Sequence, residues 1–183
     1  LPSQAQLHLA NSSSVTNAQL FQLPEGVRVY CNRGTNGIDG NLPSAIGFAM
    51  VSKDPVYLLI GDLSFFYSLS ALWNIRAIKN LRILLINNGG GGLFHVVPGL
   101  KQSVSISAVS AAHQEDASQW AKAAGLKYVK ATNADELESA LDTLMNQQEG
   151  HAVIIEACIS LKGGQETLQN YYQQQKDIFH GNK

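Results

Sequence analysis

Charge is scarce in this sequence, and so are cysteines and long apolar runs. Charged residues make up 15% of the 183 residues, and Lys+Arg (13) and Asp+Glu (14) nearly balance, for a net charge of −1. Because the signs are scattered, we expect no basic surface of the kind that binds nucleic acid or an anionic membrane. No apolar run approaches the roughly eighteen residues that a membrane span requires, so no membrane-spanning segment is expected.

The two cysteines, Cys31 and Cys158, lie in apolar, strand-like runs and form neither a CxxC pair nor a metal-ligand spacing. We expect buried, reduced thiols, which favour a cytoplasmic protein. The chain starts with neither a methionine nor a signal-like basic and apolar segment. This predicts that Leu1 follows a cut inside a longer protein.

A chain of this length is expected to form one domain, residues 1–183, that buries about 70% of its unfolded surface. Hydrophobic residues make up 45% of it. With so little charge, much of the chain should be interior or interface, so an oligomer is expected.

Short apolar runs alternate with helical segments along the chain. Strands are predicted at 6–10, 27–31, 56–60, 81–86, 127–131 and 152–159, and helices at 11–21, 41–53, 64–79, 117–125, from 133 and at 165–179. This order predicts an α/β fold: a doubly wound, mostly parallel six-stranded sheet with helices on both faces and ligands at its carboxyl edge.

The most informative stretch is residues 56–98. Its two strands end in Gly61-Asp62 and Asn87-Asn88, and four glycines follow. Parallel strands joined by a crossover helix end at the same edge, so Asp62 and Asn88 are expected to meet. Carboxylate and amide oxygens suit Mg²⁺, and glycines let phosphate oxygens approach the backbone. The stretch therefore predicts a magnesium-diphosphate site.

The same residues have a simpler interpretation. Gly-Asp after a strand is common turn chemistry, and Asn-Gly is a strong turn signal in its own right. Either dipeptide alone would be weak evidence of a ligand. Their occurrence at two adjacent strand ends is what favours the site.

The sequence resembles the thiamine-diphosphate enzymes, whose motif begins with GD and ends with NN. The segments "NRGTNGIDG" (32–40), "GDLSFFYSL" (61–69) and "NNGGGGLFHVVP" (87–98) resemble one family among them, 2-succinyl-5-enolpyruvyl-6-hydroxy-3-cyclohexene-1-carboxylate synthase. The resemblance spans nearly the whole chain but covers only that family's carboxyl-terminal, diphosphate-binding domain.

This resemblance implies two cofactors, thiamine diphosphate and Mg²⁺ or Mn²⁺. It implies that the metal ligands are Asp62, Asn88 and Gly90, and that the substrate contacts are Arg33, Leu93 and Phe94. The implied cofactor-binding residues, among which Ile38 is the large apolar side chain under the bent thiamine, are Ser12, Ile38, Asp39, Gly61, Asp62, Leu63, Ser64, Asn88, Gly90, Gly91 and Leu93.

Several residues keep a second interpretation. Ser12 belongs to a polar cluster that can simply cap a helix, and Thr16 stands where the family usually has an arginine. Arg33 could bind a carboxylate or phosphate, or brace its own loop. His95 replaces a small polar residue and is expected at the surface. His113 stands beside two acidic residues that helix capping already explains, so a metal role is not favoured.

The resemblance implies an enzyme of menaquinone biosynthesis that decarboxylates 2-oxoglutarate and adds the resulting carbanion to isochorismate. It places the activating glutamate in a separate amino-terminal domain, contributed across a dimer. No catalytic residue is therefore expected within 1–183, and the expected partners are the pyrimidine-binding and middle domains and a second subunit. The alternatives are another thiamine-diphosphate enzyme, of the acetolactate synthase or decarboxylase type, and a non-catalytic nucleotide-binding module. A Rossmann dehydrogenase is disfavoured because no GxGxxG follows the first strand.

Overall fold

The strands of the protein lie side by side in one sheet. The structure, a computed structural model, describes residues 1–95, 105–146 and 150–180. The strands are β1 (Gln6–Leu9), β2 (Arg28–Cys31), β3 (Val56–Gly61), β4 (Leu81–Asn87), β5 (Lys127–Ala131) and β6 (Val153–Cys158). They pair in the order β2-β1-β3-β4-β6-β5, and all five pairings are parallel. The predicted six-stranded, doubly wound sheet is confirmed.

Helices cover both faces of the sheet, as predicted. On one face lie α1 (Ser13–Ala18) and α6 (Ala134–Asn146), and on the other α2 (Asn41–Val51), α3 (Asp62–Tyr67) and α5 (Ser118–Ala124). Two further helices are α4 (Ile106–Val109), a single turn, and α7 (Leu161–His180) after the last strand. The sequence also predicts a long polar loop that ends at Ser110, and part of it, residues 96–104, lies outside the described residues.

The central strands carry the core because their apolar runs are buried on both faces. Ile60, Ile83 and Ile154 are fully buried toward α2, α3 and α5, whereas Val153 and Ile155 are fully buried toward α1 and α6. Each such side chain stabilises the fold by about 1.5–3 kcal/mol through its removal from water. This rigid centre holds the ends of β3 and β4 in place.

The single crossover helix predicted for residues 64–79 is wrong. The helix α3 ends at Tyr67, and a separate 3-10 helix spans Leu69–Ala77. The break is at Ser68, which is buried and donates its hydroxyl to Asp39 Oδ1 at 2.6 Å. This long-range contact outweighs the helical spacing of the neighbouring apolar residues.

The strands β1 and β3 are paired, but the connections that follow them diverge toward opposite faces of the sheet. The helix after β1 packs on one face and the helix after β3 on the other, as Val15 and Phe65 show. In doubly wound sheets the crevice that this divergence leaves at the carboxyl edge is the usual ligand site.

Two smaller expectations concern the cysteines and the membrane. Cys31 and Cys158 are free thiols, but half-buried rather than buried, and burial raises the pKa of both. Within the described ranges, none of the helices has the length and apolar character needed to span a bilayer.

Candidate functional site

Asp62 and Asn88 meet at the carboxyl edge of the sheet, as the sequence predicts. Asp62 is 3% exposed. Its Oδ2 accepts the backbone N–H groups of Asn88 (3.1 Å) and Gly90 (2.9 Å), and its Oδ1 accepts that of Leu63 (2.7 Å). The carboxylate therefore ties the start of α3 to the glycine-rich loop after β4.

The donor set at this point fits a magnesium ion. The tip of the Asn88 amide lies 2.7 Å from the Gly90 carbonyl oxygen and 3.2 Å from Asp62 Oδ2. With its nitrogen there, the amide donates to both oxygens; with its oxygen there, three oxygens converge. Adjacent ligands of an octahedral Mg²⁺ are about 2.9 Å apart, which follows from metal–oxygen distances of about 2.1 Å. Rotation of one amide thus converts a closed polar contact into a ligand set.

This ligand set contains a single carboxylate. Among the residues that the structure describes, no group of three or more His, Cys, Asp and Glu side chains could hold a metal ion. A site with one carboxylate, one amide and one carbonyl leaves positions for phosphate oxygens and water, which is how Mg²⁺ is usually held beside phosphates.

Glycine is required at position 90. Its φ is +138°, and a Cβ there would lie 2.8 Å from the backbone oxygen of Ser110. The neighbouring Gly91 donates its N–H to the same oxygen at 2.7 Å. The loop is therefore packed directly against the chain before α5, and no side chain fits between them.

The loop of residues 32–40 lies along the same edge and is fixed by a residue that the sequence did not single out. Asn11, 4% exposed, donates its Nδ2 to the carbonyl oxygens of Asn32 (2.5 Å) and Gly37. Asn11 lies two residues after the end of β1, so the predicted substrate and thiamine residues of this loop are anchored to the sheet.

Ile38 is held by its carbonyl oxygen. That oxygen accepts Nδ2 of Asn41 at 2.8 Å and the hydroxyl of Ser64. Ser64, predicted to bind the cofactor, is buried and uses its hydroxyl in this contact. The Ile38 side chain is half-buried.

Asp39, also predicted to bind the cofactor, is exposed and accepts two hydrogen bonds at Oδ1. The donors are the Ser68 hydroxyl and the Gly40 N–H, at 2.6 and 2.7 Å. The hydrogen bond from Ser68, and to a smaller extent that from the Gly40 N–H, lowers the pKa of the Asp39 carboxyl.

Ser12 precedes α1 but does not cap it with its side chain, so the interpretation of this residue as a plain helix cap is wrong. Its backbone has φ 67° and ψ −134°, and its hydroxyl makes no capping hydrogen bond. Such a conformation costs about 1–3 kcal/mol in a residue with a side chain, and strain of this kind clusters at ligand sites. Thr16, by contrast, donates its hydroxyl back to the Ser12 carbonyl oxygen at 3.1 Å.

The predicted substrate residues differ in exposure. Arg33 is exposed, Leu93 is 52% exposed and Phe94 is half-buried, the last two in a 3-10 helix, Gly92–His95. His95 is half-buried rather than at the surface, and its buried Nε2 has no hydrogen-bond partner among the residues that the structure describes.

His113 lies closer to the site than the sequence indicated. Its Nε2 is 3.2 Å from Asp62 Oδ2, and its Nδ1 accepts the Glu115 N–H at 3.2 Å. Although it is this close to the carboxylate, Nε2 is buried and has no partner with hydrogen-bond geometry among the described residues. Hydrogen bonding at the start of α5 accounts for Asp116, whose Oδ1 accepts the Ser118 N–H at 3.0 Å. It does not account for the position of His113 beside Asp62.

These features define a class of protein: a doubly wound domain with an oxygen-rich, phosphate-compatible cradle at the carboxyl ends of two adjacent parallel strands. Residues 11–157 match the family model described as thiamine pyrophosphate enzyme, C-terminal TPP binding domain. The chain belongs to this family, whose cofactor, thiamine pyrophosphate, is the same compound as thiamine diphosphate.

The similar curated proteins are more specific. The chain is 45% identical over 97% of its length to 2-succinyl-5-enolpyruvyl-6-hydroxy-3-cyclohexene-1-carboxylate synthase from Bacteroides fragilis. It is 43% identical over 96% of its length to the protein of that name from Bacteroides thetaiotaomicron, and 43% over 94% to that from Phocaeicola vulgatus. It spans 32% of the first two relatives and 31% of the third.

Proposed function

We propose that this chain is the magnesium-thiamine-diphosphate-binding domain of a 2-succinyl-5-enolpyruvyl-6-hydroxy-3-cyclohexene-1-carboxylate synthase in menaquinone biosynthesis. The observation that carries the proposal is the convergence of Asp62, Asn88 and Gly90 at the carboxyl ends of β3 and β4. The names of the similar proteins support the choice of reaction. The reaction would release carbon dioxide from 2-oxoglutarate and join the remaining four-carbon unit to isochorismate.

The metal would be Mg²⁺, or Mn²⁺ of similar coordination, held by the Asp62 carboxylate, the Asn88 amide oxygen and the Gly90 carbonyl. The bound thiamine would supply the electron sink for decarboxylation. The protein's own residues do the positioning. Asp62 orders the glycine loop through two N–H groups, and the close packing of Gly90 against the Ser110 backbone oxygen fixes the position of the Gly90 carbonyl.

The remaining predicted residues divide between cofactor and substrate. Gly61, Leu63, Ser64 and Gly91 surround the diphosphate end; Ile38 would support the thiamine, with Ser12, Asp39 and Leu93 nearby. Arg33 would bind a substrate carboxylate through its planar donors, and Leu93 and Phe94 would line the apolar side of the substrate. The exposure of Arg33 and Leu93 at this edge supports their access to ligand.

The site requires further parts. The relatives are about three times as long as this chain, which supports additional pyrimidine-binding and middle domains in one polypeptide. We infer that the activating glutamate lies there, that two or more subunits assemble, and that the enzyme is cytoplasmic. By itself, this chain would bind the cofactor weakly and catalyse no turnover.

The test is calorimetric titration of thiamine diphosphate into the full-length protein, with and without Mg²⁺. Binding should require the ion and should be lost in Asp62→Ala, while the control Asp142→Ala, an exposed residue of α6 on the far face, should bind as wild type. Retention of full affinity in Asp62→Ala would overturn the assignment of the site.

Substrate profiling separates the remaining alternatives. Carbon dioxide release from 2-oxoglutarate coupled to consumption of isochorismate supports the synthase. Turnover of pyruvate instead would indicate an enzyme of the acetolactate synthase or decarboxylase type, and tight cofactor binding without turnover of either acid would indicate a non-catalytic module.

A further inference from the structure

The central part of β6 contains a buried charge whose role the proposed function does not explain. Glu156, between Ile155 and Ala157, is 0% exposed. Its Oε1 accepts Nδ2 of Asn87 at 2.6 Å, and its Oε2 accepts the Ala117 N–H at 3.0 Å and the Tyr128 hydroxyl at 2.5 Å.

This carboxylate is expensive to bury. Removing a charge from water costs several kcal/mol unless hydrogen bonds replace the lost hydration. The salt bridges of the described residues do not include Glu156, so its three donors provide the compensation. Burial is the largest cause that raises the pKa of Tyr128, and the hydrogen bond to Glu156 is the second. The phenol therefore stays protonated and donates its hydrogen to the carboxylate. An apolar residue could occupy this strand position at a far lower free-energy cost. The carboxylate therefore points to a role beyond packing.

Asn87 connects Glu156 to the glycine loop after β4. It is the last residue of β4 and is 8% exposed. Besides Glu156, its Nδ2 bonds the carbonyl oxygen of Glu115 at 2.8 Å, and its Oδ1 accepts the N–H of Gly89 at 3.1 Å. Because two acceptors face its nitrogen, the amide has only one favourable orientation, and its oxygen must point at Gly89.

Gly89 is the first residue of the glycine loop and adopts a left-handed conformation, with φ +78°. Its carbonyl oxygen accepts the His113 N–H at 3.1 Å. The next residue, Gly90, donates to Asp62 and presents its carbonyl oxygen beside the Asn88 amide. The orientation of Asn87 thus determines how the loop leaves the strand, three residues before the carbonyl of the ligand set.

We propose that Glu156 is a positioning residue for the cofactor site: through Asn87 it fixes Gly89, and with it the Gly90 carbonyl, in the geometry that receives the metal and the diphosphate. The inference rests on the proposed function and assigns to the first asparagine of Asn87-Asn88 a role distinct from that of the second. Glu156 touches neither ligand; it acts only through the amide.

The alternative is that Glu156 only secures the core by joining β5 and α5. The chain offers a matched pair of variants for this question. Glu156→Gln keeps the shape but replaces one acceptor oxygen with a donor NH₂, so one of the N–H groups of Asn87 and Ala117 loses its partner. Tyr128→Phe removes a different hydrogen bond from the same carboxylate and leaves the Asn87 bond in place.

The experiment measures the Kd of magnesium-thiamine diphosphate and the melting temperature of full-length wild type, Glu156→Gln, Asn87→Ala, the double variant and Tyr128→Phe. We expect Glu156→Gln and Asn87→Ala each to raise Kd about tenfold or more, the range typical of groups that orient metal ligands. The double variant should bind magnesium-thiamine diphosphate no more weakly than Asn87→Ala does, because both substitutions disrupt the same chain of contacts. Tyr128→Phe should lower the melting temperature with Kd within about twofold of wild type.

A second measurement does not depend on cofactor. Amide hydrogen exchange of metal-free protein should be faster in peptides covering 88–92 in Glu156→Gln, and unchanged in the α2 peptides 41–51. Wild-type Kd in both Glu156→Gln and Asn87→Ala, or an equal rise in Kd in Tyr128→Phe, overturns the positioning role. If Glu156→Gln does not fold, Asn87→Ala decides alone. If wild type itself fails to bind cofactor, the proposed function falls, while unchanged exchange at 88–92 separately refutes the link to the loop.

Discussion

The Asp62 carboxylate accepts the backbone N–H of Gly90 at 2.9 Å, across 28 residues of chain. This contact joins the ends of two adjacent parallel strands and orients the loop whose carbonyl completes the candidate metal ligands. The site therefore depends on the backbone conformation at this edge of the sheet. Substitutions that keep all of the ligand atoms can still disturb it.

Gly90→Ala tests the packing of this loop. A Cβ at position 90 would lie 2.8 Å from the Ser110 oxygen, and the φ of +138° is unfavourable for alanine. We expect Kd for magnesium-thiamine diphosphate to rise at least about tenfold, since displacement of the carbonyl costs about 1.4 kcal/mol or more of binding free energy. Calorimetry on the full-length protein measures the effect.

Gly47→Ala is the matched control. Gly47 is exposed in the middle of α2, and a Cβ there meets nothing within 4 Å. Alanine should stabilise this helix by up to about 1 kcal/mol with Kd unchanged. Equal affinity of the two variants would show that loop packing does not matter for the site.

The fold and the proximity of Asp62 and Asn88 could be predicted because they depend on order along the chain. Apolar runs gave the strands, and parallel connections place Asp62 and Asn88 at one edge without further information. Glu156 also left a signal, a charged residue within the apolar run 152–159, but its partners 28 to 69 residues away are not encoded locally. The helix break at Ser68 and the position of His113 depend on similar long-range contacts, and periodicity cannot reveal them.

Asn11→Ala tests whether the loop of residues 32–40 is anchored to the sheet. Two backbone carbonyls, of Asn32 and Gly37, would lose their buried donor. We expect the free energy of unfolding to fall by about 1–3 kcal/mol, and amide exchange to accelerate in peptides covering 32–38.

Asn133→Ala provides the comparison, because Asn133 is exposed and its Oδ1 caps α6 by accepting the Glu136 N–H at 3.0 Å. Its loss should cost about 1 kcal/mol and leave exchange at 32–38 unaltered. Faster exchange there in Asn133→Ala would attribute the effect to general destabilisation.

His8 makes stability depend on pH. Its ring is 9% exposed, stacks on Tyr30 at 4.9 Å between centroids and packs edge-on to Phe48 at 4.8 Å. Burial lowers its pKa below the ordinary 6.5, so the folded protein favours the neutral ring. Stability is then fully present above about pH 6.5 and is lost as the pH falls toward the lower folded pKa, by at most about 1.4 kcal/mol per pH unit.

Chemical unfolding at pH 7.5 and 5.5 measures this loss. His8→Phe keeps an aromatic ring in the cluster, and we expect it to lose less stability than wild type between these pH values. His151→Gln, at an exposed position before β6, should behave as wild type. A loss in His8→Phe as large as that of wild type would refute the assignment to His8.

Arg33→Lys tests the substrate side of the site. Arg33 is exposed on the loop that Asn11 anchors. A lysine keeps the charge but loses the planar pair of donors that binds a carboxylate in two places. We expect KM for 2-oxoglutarate to rise about tenfold or more, while Kd for magnesium-thiamine diphosphate stays within about twofold, because in the proposed site the guanidinium would contact the acid and not the diphosphate. Arg76→Lys is the control: Arg76 is exposed and donates to the Ala123 carbonyl oxygen at 2.8 Å, so its loss should leave both constants unchanged. If Arg33→Lys weakens cofactor binding and leaves KM alone, Arg33 braces the loop or binds the cofactor, and the substrate carboxylate must be bound elsewhere.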